Sequence, residues 1–143
     1  MPEFLGRIRA RRARMNAMRA VPASLRTWFL VHFVADWVTG IPLLLTPQWT
    51  LGVLGFSGEH ILAARLVGAA LLGIGGASLL MRRGSEETFR AMLDLKVIWS
   101  LSAIVAILLS IRDGAPPAAW GILAVFVVFS SAWCWHRFAI SRS

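Results

Sequence analysis

The stretch Ile61 to Met81, ILAARLVGAALLGIGGASLLM, decides how this chain is read. It is apolar throughout, with one charge, Arg65, near its start. At ~1.5 Å per residue it is long enough to cross a ~30 Å hydrocarbon core. It is also crowded with small residues, among them Ala64, Gly68, Ala69, Gly73, Gly76 and Ala77. In water so much glycine weakens a helix, by roughly 1 kcal/mol per residue relative to alanine. In lipid, small residues let a second backbone come close, and that contact drives helix association there. At ~100° per residue, Gly68, Ala69, Gly73 and Gly76 fall on the side of Arg65, and Val67, Leu71, Ile74 and Ser78 on the other. The expectation is a tightly packed membrane helix with the glycine side turned into a bundle and Leu71 and Ser78 turned to lipid.

Three further segments of similar character surround it, so the expected fold is all-α, a four-span up-down bundle. The spans are read at about 25–45, 61–81, 92–111 and 117–136, within a membrane domain over 25–138. The chain has 143 residues, 57% of them hydrophobic, and a mean hydropathy of +0.68. Soluble domains of this size are rarely so apolar. The length suits a single domain. One cysteine, Cys134, excludes an internal disulfide and says nothing of the compartment.

Residues 1–24 form a basic segment, with Arg7, Arg9, Arg11, Arg12, Arg14 and Arg19 interleaved with Phe4, Leu5, Ile8, Met15 and Met18. It reads as an amphipathic helix lying on an anionic leaflet, or as a flexible basic tail that fixes topology. Nothing else in the chain supports nucleic-acid binding. The segment does not read as a signal peptide, because the apolar run after it is too long and carries Asp36.

The first span opens on Trp28 and Phe29 and contains His32, Asp36, Thr39, Gly40 and Pro42. Pro42 lacks an N–H, so a kink is expected near the far end. Thr46-Pro47 reads as an N-cap followed by proline at N1, opening a short interfacial helix with Trp49. Ser85, followed by Glu86 and Glu87, reads as the N-cap of the third long helix, which holds Asp94, Lys96, Ser100 and Ser102. Residues 139–143 are a short tail.

Charge distribution sets the expected orientation. Seven arginines lie at or before Arg26, three between Arg82 and Arg90, and two at Arg137 and Arg142. The 46–60 connection has no basic residue but His60, and the 112–117 connection has Arg112 alone. By the positive-inside rule both termini face the cytoplasm, which places the chain in a cytoplasmic (inner) membrane.

Few residues carry chemistry. Gly73-Ile-Gly75-Gly76 lacks a third glycine at nucleotide-loop spacing, where Ser78 stands, and sits inside a helix. His32 and His136 on separate spans are a conceivable haem pair. No cysteine or carboxylate cluster has metal spacing, so no metal site is read. Of the seven tryptophans, Trp28, Trp49, Trp120, Trp133 and Trp135 suit interfacial belts. Trp37 and Trp99 are deep enough to line a cavity.

Asp36 is the sharpest feature, near mid-membrane and one turn beyond His32. A carboxylate at that depth either takes up a proton or draws in a counter-charge. Two cations compete for it: Arg65, on the neighbouring antiparallel helix, is favoured, and Lys96 is the alternative. The possible intramembrane polar site is therefore His32, Asp36, Arg65 and Lys96. No nucleophile–base arrangement is visible, so no enzyme is expected.

The four short spans, the "LLTPQWTLGVLG" turn, the packed "ARLVGAALLGIGGASLL" helix and the charged start of the third helix together resemble the DoxX-like four-helix membrane proteins. The likeness covers about residues 25–138. It implies an accessory role beside a redox partner and transfers no active-site residue. The function expected is that of a non-catalytic membrane protein, an accessory or structural subunit packing against a membrane protein partner or itself. The alternative is a small transporter or a binder of a lipophilic ligand such as a quinone, using Asp36 and His32.

Overall fold

The computed structural model describes Gly6 and residues 21–141. The basic segment read at 1–24 therefore lies almost wholly outside the described residues. Five α-helices follow: α1 (Ala23–Leu45), α2 (Pro47–Val53), α3 (Ile61–Met81), α4 (Glu86–Arg112) and α5 (Ala118–Ser141). A 3₁₀ turn, Gly58–His60, leads into α3. All four long helices are long and apolar enough to cross a membrane. They also present large apolar side chains outward: Val38, Leu62, Leu80 and Ile98 are 66–83% exposed. Apolar surface on every side of a small bundle is what lipid contact requires. The chain is built as a multi-pass membrane protein.

The helix ends follow from local chemistry. Ser85 caps α4 as expected, its Oγ accepting from the Thr88 N–H at 3.3 Å. Ser85→Ala should cost about 1 kcal/mol at that end. Amide exchange at Thr88 and Phe89 would report it as faster opening of the first turn alone. Thr46 is the N-cap of α2 as read, with Pro47 at N1, and its carbonyl accepts from the Thr50 N–H at 3.0 Å; its hydroxyl makes no cap bond to α2. Both its N–H and its Oγ donate backward to the Pro42 carbonyl, at 2.8 and 3.2 Å. The residue therefore closes α1 as well as opening α2. Helix α5 also runs on past His136 to Ser141.

Packing divides the long helices into two antiparallel hairpins, α1 with α3 and α4 with α5, while α3 and α4 barely touch. The hairpins are joined at the end that carries the chain termini. There Leu25, Phe29, Phe89, Met92, Leu93, Trp133 and Ile140 form the main core. Phe29 meets Phe89 and Trp133 at ring separations of 4.8 and 5.9 Å, and Trp28 meets Trp133 edge-on at 6.1 Å. Such ring pairs contribute about 0.5–1.5 kcal/mol each beyond the area they bury. A smaller cluster, Leu43, Ala64 and Leu71, holds α1 to α3 at the other end.

The packing face of α3 corrects the sequence reading. Its buried line is Ala64, Gly68, Leu71, Gly75 and Ser78. Gly68 is at a close crossing, but Ala69 and Gly73 are exposed, and a Cβ on Gly73 would meet nothing within 4 Å. Gly76 only grazes Trp37 Nε1 at 4.0 Å. The real face is rotated by about one residue. Gly68 and Gly75, seven apart, decide it. A Cβ on Gly68 would stand 2.8 Å from the Gly40 carbonyl oxygen, and one on Gly75 would stand 2.7 Å from Asp36 Cβ. The two backbones cross where neither residue has a side chain to hold them apart.

Candidate functional site

Halfway along the bundle the chain places four polar side chains against one another. His32 and Asp36 stand one turn apart on α1, both 7% exposed. Lys96 enters from α4 and is 1% exposed; Ser78 enters from α3 and is fully buried. The site is the meeting point of three helices and both hairpins.

A buried ammonium is tolerated only if its donors find partners. Lys96 Nζ donates to Ser78 Oγ at 2.7 Å and lies 3.0 Å from His32 Nδ1. Ser78 Oγ has already committed its own hydrogen to the Ile74 carbonyl at 2.7 Å, so it can only accept from Lys96. The Nζ also sits 5.0 Å from the Phe29 ring centroid and 4.8 Å from that of Trp133. Two ring faces at that range attract a desolvated cation by about 2 kcal/mol. Lys96 is therefore held by a hydroxyl, an imidazole and an aromatic wall.

His32 Nδ1 also lies 2.9 Å from Asp36 Oδ2. One imidazole nitrogen either donates or accepts, not both. The shared Nδ1 serves one neighbour at a time: as an acceptor it takes a hydrogen from the Lys96 ammonium, and as an N–H it donates to Asp36 Oδ2. While it faces Lys96, Asp36 Oδ2 is buried without a hydrogen-bond partner among the described residues. His32 itself is fixed edge-on against Phe129 and Trp133, at ring separations of 4.9 and 5.2 Å.

Asp36, His32 and Lys96 all line a cavity of about 160 Å³ between the hairpins. Its other walls are Ala35 and Thr39 of α1, Leu71 of α3, Trp99 and Ser100 of α4, and Ile122, Val125, Phe126, Phe129 and Trp133 of α5. Thr39 and Val125 are exposed, so the cavity reaches the lipid-facing surface between α1 and α5. A cavity of about 150 Å³ holds one benzene ring.

No known relative helps to read this site. No family model, curated protein or solved structure matches the chain.

The four residues read as a polar site divide three to one. His32, Asp36 and Lys96 come together, but Arg65 does not. It is exposed at the far end of α3, beside Leu45, Gln48 and Trp49. The favoured counter-charge was the wrong one, because the packing face of α3 is turned by about one residue from the one assumed and Arg65 falls outside it. Lys96, the alternative, carries the positive charge of the cluster. Ser78 was assigned to lipid by the same rotation. Trp133 is fully buried, not interfacial, whereas Trp135 is 74% exposed. Two residues along a helix are ~200° apart, so the Trp-Cys-Trp run points one ring in and one out. Of the two deep tryptophans, Trp99 lines the cavity; Trp37 packs on Phe33 outside it. His136 is buried on α5 but makes no hydrogen bond or ion pair among the described residues. No group of three or more metal-ligating side chains occurs among the described residues.

Proposed function

We propose that this protein is an intramembrane binding protein that takes a small lipophilic molecule from the bilayer into the cavity between its hairpins. The observation that carries this reading is the buried Asp36 oxygen, whose one nearby nitrogen, His32 Nδ1, is shared with Lys96, beside a cavity walled by aromatic rings. Maintaining an unsatisfied buried acceptor costs about 1–3 kcal/mol, more when it is charged. A fold tolerates that most readily where a ligand completes the site. A ring-sized head fits the volume, and the exposed Thr39 and Val125 mark a lateral route from lipid. A quinone head is one such molecule.

The test is direct. In nanodiscs, fluorobenzene followed by fluorine NMR should show a saturable protein-bound signal. Ala35→Phe, which puts a ring into the cavity, should weaken that binding more than tenfold without lowering the melting temperature. Absence of saturable binding, or binding indifferent to Ala35→Phe, would remove the proposal.

A second reading, an accessory subunit in a larger membrane assembly, has its own support. The part of α4 beyond Ser100 has no buried residue, and Leu101, Val105, Leu108 and Leu109 present an unpartnered apolar surface. Co-purification of a stoichiometric membrane partner would favour it. In either reading the arginine distribution supports cytoplasmic termini in an inner membrane, with the basic N-terminal segment on its anionic leaflet.

A further inference from the structure

We infer that the cavity selects a neutral, single-ring molecule bearing a hydroxyl donor, the phenol class, and that Asp36 accepts that hydroxyl. The inference rests on the binding reading above and narrows it to a chemical class.

Three features of the site point the same way. The first is charge. The cluster holds one carboxylate, Asp36, and one ammonium, Lys96, which both contact His32 Nδ1 at 2.9 and 3.0 Å. Their charges offset. A cationic guest would add an uncompensated charge at a depth where none is cheaply tolerated, and an anionic guest would face the Asp36 carboxylate. A neutral guest leaves the balance intact.

The second is hydrogen bonding. Two of the three Lys96 ammonium hydrogens meet Ser78 Oγ and His32 Nδ1, and the Phe29 and Trp133 rings flank the Nζ. Asp36 Oδ2 is buried with only that same His32 nitrogen in reach, at 2.9 Å, and its Oδ1 makes no hydrogen bond among the described residues. The carboxylate is the group short of a partner, and a guest hydroxyl supplies the donor it lacks. Thr39, three residues further along α1, lines the same cavity. Its hydroxyl makes no hydrogen bond among the described residues. Those of Thr27, Thr46 and Thr50, by contrast, donate to the carbonyl four residues back. Thr39 is free to take a second polar contact from a guest.

The third is shape. The volume of about 160 Å³ accommodates one ring, and Trp99, Phe126, Phe129 and Trp133 supply flat walls. A hydroxyl on that ring then reaches the Asp36 carboxylate, while a substituent elsewhere on the ring leaves toward the exposed Thr39 and Val125.

The experiment compares three guests of similar size in nanodiscs by fluorine NMR: 4-fluorophenol, 4-fluorotoluene and 4-fluorobenzylammonium, each corrected for lipid partition. The wild-type protein should bind the phenol about tenfold or more tighter than the toluene, the difference a charge-assisted hydrogen bond makes. In Asp36→Asn, where the acceptor is neutral, that preference should shrink to about threefold or less while the toluene still binds. Retained toluene binding shows that the variant is folded. Equal binding of phenol and toluene by the wild type overturns the class and leaves the cavity reading standing. Tighter binding of the benzylammonium overturns the charge argument. Failure of all three to bind removes the inference together with the binding reading.

Discussion

Gly68→Leu is expected to unfold the first hairpin, and Gly73→Leu to leave it nearly unchanged. The reason lies in what a new side chain meets. At position 68 a Cβ alone would stand 2.8 Å from the Gly40 carbonyl oxygen and 2.9 Å from the Leu44 nitrogen. Both are backbone atoms and cannot rotate aside. Over-packing a core costs typically 1–3 kcal/mol when side chains can yield. Against two backbone atoms of α1 the cost should reach about 3 kcal/mol or more, a fall of roughly 6–12 °C for a chain of this size. Position 73 faces open space. Thermal melts of both variants in one detergent decide the matter. A larger loss at Gly73 than at Gly68 would mean that α1 and α3 do not cross where described.

The second large effect concerns Lys96. Lys96→Gln removes the charge that faces Asp36 and leaves Ser78 Oγ and His32 Nδ1 with a poorer partner. Breaking a buried pair on one side costs about 3–5 kcal/mol, because the other charge is left uncompensated. Asp36→Asn removes the opposite charge and strands the ammonium. The two substitutions together should cost less than their sum, by about 1–3 kcal/mol. The same cycle with Arg65→Gln should be additive within about 0.5 kcal/mol, since Arg65 is exposed and lines a different surface. Denaturant titrations of the five variants and the wild type measure both couplings. Additivity in the Lys96 cycle would show that the two charges do not sense each other through His32.

These two predictions mark where the sequence was readable and where it was not. The four long helices were legible because apolar runs of membrane length are hard to mistake, and α3 begins and ends where the hydropathy says. Asp36 was legible because a carboxylate amid Val34, Ala35, Trp37 and Val38 is chemically out of place. Its partner was not, since choosing between Arg65 and Lys96 required the rotation of α3. That helix has Ala or Gly on nearly every side, at 63, 64, 68, 69, 70, 73, 75, 76 and 77. Small residues permit close approach from any direction, so they name no face. The face is set by α1, whose Gly40 and Asp36 find Gly68 and Gly75. Ser78 was lost to the same rotation, and Trp133 to its place near a helix end. A lone serine in an apolar helix and a tryptophan near a helix end each have an ordinary place in lipid. Only the arrival of Lys96 between them gives them a task.

The sequence separation of the cluster has a consequence for biosynthesis. Lys96 is 64 residues downstream of His32 and 18 downstream of Ser78. At ~5–20 residues per second, His32 waits roughly 3–13 s for its cation, and the first hairpin, once Ser78 is made, waits the last ~1–4 s of that. During that interval His32, Asp36 and Ser78 are already threaded through the insertion machinery, with the place for the ammonium prepared but vacant. Lipid would be a poor setting for the bare carboxylate, so a nascent chain of this design is expected to linger beside the translocon's water until the third long helix emerges. The ribosome's clock, as well as the finished contact, then governs how many copies assemble correctly, and slowing translation between Gly84 and Lys96 would lengthen the most vulnerable moment of the protein's life.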